Sequence, residues 1–163
     1  MPDQPSPKTF TFTVENPGQT ALDVFADGTG LSRQRIKDAM NKGAVWWNLK
    51  GKTLRLRRAT KPLNKGCKIQ LFYDEQVLAR KPEAAQLIHD AQRYSIWFKP
   101  HGMLSQGSQW GDHCSLLRWV EVNGKPKREC FLVHRLDADA AGLMLIAHDQ
   151  QSAARLSHLF QSR

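Results

Sequence analysis

At 163 residues and 18.5 kDa the chain is long enough to bury one good hydrophobic core, or two small ones. Its net charge of +9 and pI of about 9.8 favour a polyanionic partner, nucleic acid being the commonest. No apolar run approaches the ~20 residues that cross a bilayer, and the first residues lack the basic and apolar regions of a signal peptide. The three widely spaced cysteines, Cys67, Cys114 and Cys130, outline neither a disulfide framework nor a zinc site. A cytoplasmic protein with no metal and no membrane partner is the resulting expectation; oligomeric state is not readable from the pattern.

Met1 to Pro7 reads as a flexible, proline-rich tail. Lys8 to Val14 alternates polar and apolar residues, as a half-buried strand does. Thr20 to Ala26 forms a short helix with Leu22, Val24 and Phe25 available for burial, and Asp27-Gly28-Thr29-Gly30 breaks it. Ser32 caps a second helix through Met40, with Ile36, Ala39 and Met40 inward, Arg33 and Lys37 sharing a face, and Gly43 at its end. Strands follow around Ala44 to Asn48, Thr53 to Arg57 and Cys67 to Tyr73; in the second, Leu54 and Leu56 point one way and Arg55 and Arg57 the other. Trp46 and Trp47 are adjacent on a strand, so one packs inward and the other is left outside, either packed under the hairpin or available to stack on an unpaired base.

The charge is concentrated in this half. Between Leu31 and Lys68 there are twelve basic residues and one acid, Asp38, a local balance of +11 against +9 for the whole chain. A charge run is usually a solvated face, but here so few acids compensate that repulsion within the segment stays unrelieved until an anion binds. Arg33, Arg35, Lys37, Lys42, Arg55 and Arg57 are the candidate contacts to phosphate.

Ala79 to Ala85 carries no apolar periodicity and reads as a linker. Beyond it come a strand from Tyr94 to Phe98, a turn at Pro100-His101-Gly102, and a helix from Ser115 to Val122 that buries Leu116, Leu117 and Val120. Asp149 caps a last helix with Ala153, Leu156 and Phe160 as its apolar stripe.

Between that pair of helices lies the most informative stretch. Phe131 to Val133 and Leu143 to Ala147 read as short buried strands, and the connection between them holds His134, Arg135, Asp137 and Asp139. A carboxylate at a strand end can serve as nucleophile or general base, and Asp137 is the natural candidate. The residues alone leave open a plainer alternative, in which Arg135 and Asp137 or Asp139 form a structural ion pair beside an ordinary turn.

The wording of the stretch is more specific. His134-Arg135-Leu136-Asp137, then Gly142 and an aliphatic strand, resembles the central motif of RNA pseudouridine synthases of the RluA type. Upstream, Tyr94 to Met103 looks like that family's strand ending in Lys-Pro-x-Gly. Leu31 to Lys37 and Lys42 to Val45 are similar to the alpha-L RNA-binding module that many such enzymes carry, although Trp46 to Gly51 departs from its usual hairpin. The resemblance implies isomerisation of uridine to pseudouridine in RNA, ribosomal RNA favoured and transfer RNA possible, with no cofactor. It assigns the catalytic carboxylate to Asp137 and entry into the gap left by an extruded base to Arg135. His134 and Asp139 fall to support of the loop.

The implied fold is α+β, a small basic alpha-L RNA-binding domain followed by the first part of a mixed-sheet catalytic domain. Its boundaries are a tail and first strand over 1–18, the RNA-binding domain over 19–78, a linker over 79–90 and the catalytic part over 91–163. Two departures bear on activity. Ala140-Ala141 stands where the family commonly has Thr-Ser, and the family's base-stacking aromatic and its cation for the catalytic Asp would both lie past Arg163. A fragment of a longer synthase, inactive alone, is the expectation; a non-catalytic RNA-binding or ribosome-associated adaptor is the alternative.

Overall fold

The computed structural model describes residues 5–162, so most of the expected tail, residues 1–4, lies outside the described residues. The chain divides into two compact units, Met1–Arg80 with Ser108–Asp112, and Lys81–Gly107 with His113–Arg163.

The first unit is a four-stranded antiparallel sheet carrying three helices. Strand β1 (Lys8–Thr13) is followed by α1 (Ala21–Thr29) and α2 (Arg33–Asn41), then β2 (Val45–Leu49), β3 (Lys52–Arg55), β4 (Lys68–Tyr73) and a short α3 (Glu75–Ala79). The sheet order is β1-β4-β2-β3. Since β1 pairs with β4 along its whole length, from Lys8 opposite Tyr73 to Thr13 opposite Lys68, the first strand belongs to the basic unit rather than to the tail. Phe25, Ile36, Met40, Val45, Ile69 and Leu71 form the centre of the core, fully buried, each apolar side chain contributing about 1.5–3 kcal/mol by leaving water.

Helix α1 runs three residues past its expected end. The break falls at Gly30 alone, whose φ of 75° is the left-handed C-cap conformation that glycine adopts without cost. Gly28 stays inside the helix because its missing side chain makes room: a Cβ there would lie 2.5 Å from Phe12 Cζ. Helix α2 begins where Ser32 predicts, its side chain accepting from Arg35 N. Strand β3 is shorter than expected, yet Leu56 beyond it is buried and its N–H donates to Val45 O at 2.8 Å.

The second unit is also α+β: β5 (Gln86–Asp90), β6 (Tyr94–Lys99), α4 (Leu116–Asn123), β7 (Phe131–Leu132), β8 (Gly142–Ala147) and α5 (Gln150–Gln161), in sheet order β5-β6-β8-β7. Every strand pair in it is antiparallel among the described residues. The linker expected over 79–90 is narrower, since α3 ends at Ala79 and β5 occupies 86–90; an exposed edge strand has no buried periodicity for a sequence to display. Trp97, Met103, Leu116, Val120, Met144 and Ile146 form the core.

Helix α5 is anchored at its N-terminus by Asp149. The carboxylate accepts from Ser152 N at 2.7 Å and Ser152 Oγ at 2.9 Å, and Arg93 grips it from the side with Nε and Nη2 at 3.0 and 3.1 Å. These partners, the guanidinium first, hold its pKa well below the ordinary 3.8. Because the folded value is the depressed one, the stabilisation is present above pH 3.8 and is lost as pH falls below it. Asp149→Asn, which keeps a capping oxygen but removes the charge, is expected to flatten the acid limb of the stability profile below about pH 4, read by circular dichroism of thermal melts at stepped pH. An acid limb identical to wild type would show that the charge contributes nothing.

Candidate functional site

Residues 133–141 connect β7 to β8, and their side chains alternate between half-buried and exposed from His134 to Ala141. The alternation follows from how the backbone is tied down. Ser105, buried, accepts from Leu136 N at 3.0 Å and donates to Leu136 O at 2.5 Å, a two-way clamp on one residue. The Leu136 side chain packs on the core of the unit and against Gly142, where a Cβ would sit 3.3 Å from Leu136 Cδ1. Two residues on, Ala138 O accepts from Gly102 N at 2.7 Å. Ala140 N donates to Asp137 O at 3.0 Å and closes the turn. With even-numbered residues drawn inward, Arg135, Asp137 and Asp139 are left facing solvent.

His134 begins the loop. Its Nε2 accepts from Leu145 N at 3.0 Å, so the ring supplies β8 with the partner that a longer β7 would have given. Phe160 of α5 stacks on it with centroids 4.2 Å apart and planes 19° apart. His134 thereby ties β8 and α5 to the start of the loop.

Arg135 and Asp137 form no ion pair, and neither side chain has a hydrogen-bond partner among the described residues. The structural ion pair that the residue pattern left open is absent. Asp139, expected to order the loop, is likewise exposed and makes no side-chain hydrogen bond among the described residues. Ordering comes instead from Ser105, Gly102 and Lys99 through the backbone.

Lys99, read in the sequence only as part of the Lys-Pro-x-Gly likeness, was given no role there. It closes β6 on the same face as Ser95 and Trp97, and all three are buried, Lys99 completely. Its ammonium lies under the loop, donating to Met103 O at 2.7 Å, Pro100 O at 3.2 Å and Ala138 O at 3.5 Å. Burial pushes its pKa down from 10.5, while the charges of Asp137 and Asp139 push the other way. The buried cation and the two exposed carboxylates thus form one electrostatic group. The signal was available in the register: a lysine in step with a buried serine and tryptophan needs an internal partner.

The cations expected to contact phosphate are sorted differently by the first unit. On α2 and at its C-cap, Arg33 pairs with Asp23 at 2.9 Å, Arg35 with Glu75 at 3.5 Å, and the C-cap Lys42 with Asp38 at 2.9 Å and Leu78 O at 2.7 Å; Lys37 is exposed. The hydrogen bond from Arg33 holds Asp23 below the ordinary carboxylate range. Arg55 and Arg57 are more deeply engaged. Arg57 forks onto both oxygens of Asp112 and donates to Asn41 O, while Arg55 approaches Asp112 at 3.4 Å, donates to the carbonyls of Gly43 and Ser108, and lies 4.3 Å over Trp46. Trp46 is therefore half-buried, with Nε1 donating to Gln109 O at 3.0 Å, and Trp47 packs partly on the core. Neither ring is a freely exposed stacking platform, which was one of the two alternatives that the sequence left for the outward tryptophan.

Three comparisons bear on this site. Residues 93–163, which include β6, Lys99 and the whole loop, match the family model described as RNA pseudouridylate synthase. An uncharacterized RNA pseudouridine synthase of Mycoplasma pneumoniae is 26% identical over 166 residues, covering 96% of this chain and 50% of that protein. Another from Aquifex aeolicus is 38% identical over 65 residues, covering 40% of this chain and 27% of its own length. Human RNA pseudouridylate synthase domain containing 4 aligns in structure with a TM-score of 0.39 at 27% identity, over 47% of this chain and 30% of that one. The chain thus spans half or less of the length of the curated relatives it matches. The likeness to RNA pseudouridine synthases, read first from His134-Arg135-Leu136-Asp137, is thereby shown over the segment that carries the loop.

Proposed function

We propose that this chain, similar to the RNA pseudouridine synthases over residues 93–163, works in the isomerisation of uridine to pseudouridine within RNA. In that reaction the bond from ribose to uracil nitrogen is broken, the base turns over, and its carbon 5 is joined to the same ribose carbon. No atom is gained or lost. Asp137 is the carboxylate presented to ribose and base, and Arg135, two residues away on the same exposed side of the loop, fills the space from which the base is drawn. The observation that carries the reading is the pairing of an unpartnered, exposed Asp137 with a backbone fixed at Leu136 and Ala138: the scaffold is rigid and the reactive group is left open.

The basic first unit supplies RNA affinity in the manner of an alpha-L module, reading backbone shape more than sequence. Ribosomal RNA is the favoured substrate, transfer RNA the second choice, and the cytoplasm the site of action. Mapping of pseudouridine in both RNA classes, from cells with the gene and cells without it, tests this. Loss of at least one ribosomal position is the expected result. Loss confined to transfer RNA would move the substrate, and unchanged maps in both classes would sink the enzymatic reading in favour of an RNA-binding adaptor.

A further inference from the structure

We propose that the first unit grips the RNA phosphate backbone chiefly with the hairpin end of its sheet, through Lys50, Lys52, Lys65 and Lys68, and not with the sheet-face arginines. The proposal rests on the reading of this protein as one that acts on RNA, and it assigns the contact.

The reasoning begins with which cations are already engaged. Arg55 and Arg57 are held by Asp112, and Arg35 and Lys42 by Glu75 and Asp38. The sheet face beside the two arginines is further covered by the segment Ser108–Asp112. Trp110 meets Phe72 edge-on at 5.5 Å, Gln109 O accepts from Trp46, and Asp112 N donates to Lys42 O at 2.8 Å. Gly43, with φ of 87°, leaves the room that this carboxylate occupies, since a Cβ there would overlap Asp112 Oδ1. A phosphate would have to displace a buried carboxylate from a forked guanidinium contact to reach Arg57.

The hairpin end has no such occupant. Lys50 and Gly51 form the two-residue turn between β2 and β3, with φ of 51° and 79°, and Lys52 pairs with Leu49 at its base. A lysine in the left-handed region is uncommon, because asparagine or glycine fits that position with less strain. Lys68 opens β4 at the same end: its neighbour Ile69 pairs with Trp47, and Cys67 Sγ donates to Asn48 O at 3.6 Å. Lys65 lies in the tight turn before it, closed by Cys67 N donating to Asn64 O at 3.1 Å. All four lysines are exposed and none makes an ion pair among the described residues. Lys61 joins them, its ammonium 5.3 Å over the ring of Trp47. Beside them Leu49 and Leu54 are 37% and 43% exposed, giving sugar and base an apolar surface next to the charges. Four uncompensated lysines gathered at one end of a sheet repel one another until a polyanion neutralises them.

The test uses the full 163-residue chain and a fluorescently labelled RNA hairpin, with affinity measured across a salt series. Lys50→Ala, Lys52→Ala, Lys65→Ala and Lys68→Ala together should weaken binding by about tenfold or more near 100 mM salt, and lower the slope of log affinity against log salt by about 3. Arg33→Ala with Lys37→Ala should weaken it by roughly threefold or less. Arginine at the same four positions should preserve binding, which separates lost charge from lost structure. If the helix pair produces the large loss and the four-lysine variant does not, the assignment is overturned while RNA binding by this unit stands. If the arginine version fails like the alanine one, charge is not the cause and the assignment is again overturned. Should the wild-type chain bind phosphatidylglycerol vesicles but no RNA, both the assignment and the RNA reading fall together.

Discussion

Asp137→Asn is expected to abolish pseudouridine formation in cells whose only copy of the gene carries the substitution, a loss of about three orders of magnitude or more in rate. Asparagine has nearly the same volume and lacks only the anion. The loop does not depend on the Asp137 side chain, because Asp137 holds the turn through its main-chain oxygen, which accepts from Ala140 N. Fold and protein abundance should therefore match wild type while the modification disappears. Arg135→Ala is the informative comparison: if the guanidinium serves base extrusion, the defect should be large on paired RNA and smaller where the uridine is already unstacked. Wild-type pseudouridine levels from the Asp137→Asn gene would reject Asp137 as the catalytic carboxylate.

The largest effect on stability is expected at Lys99. Lys99→Ala deletes a fully buried stem and leaves the carbonyls of Met103, Pro100 and Ala138 without their donor. Loss of packing and of a buried charged donor together cost about 3–5 kcal/mol. For a unit of under 100 residues that corresponds to a fall of roughly 15 °C or more in its unfolding midpoint, read by calorimetry. Lys99→Met retains the stem and should fall between the two, isolating the contribution of the ammonium. Burial lowers the folded pKa below 10.5, so the fold sheds this proton before the unfolded chain does. Wild type should then gain stability relative to Lys99→Met as pH rises through the lowered value toward 10.5, and the gain should stop there. A difference independent of pH across that range would mean that Lys99 acts by packing alone.

The parts of this protein legible from sequence are those governed by neighbours along the chain. Ser32 and Asp149 announce helix starts because a capping oxygen needs only the amides of the next turn. The strands around the loop are legible from apolar runs, and His134-Arg135-Leu136-Asp137 is legible as a motif because its spacing places Arg135 and Asp137 on one side of an extended segment. Tertiary structure alone decided what depends on distant partners. Arg57 is cancelled by Asp112, 55 residues away, so counting charges between Leu31 and Lys68 overstated what the sheet face offers and could not single out the hairpin end. Gly28 continues a helix because Phe12 needs the space above it, which no local turn propensity records. Lys99 became part of the site because its β6 register carried it under a loop nearly forty residues further along, where main-chain carbonyls replace the water it loses. Capping and periodicity act over a few residues. The fate of a charge is set by the dielectric and the partners that the completed fold places around it.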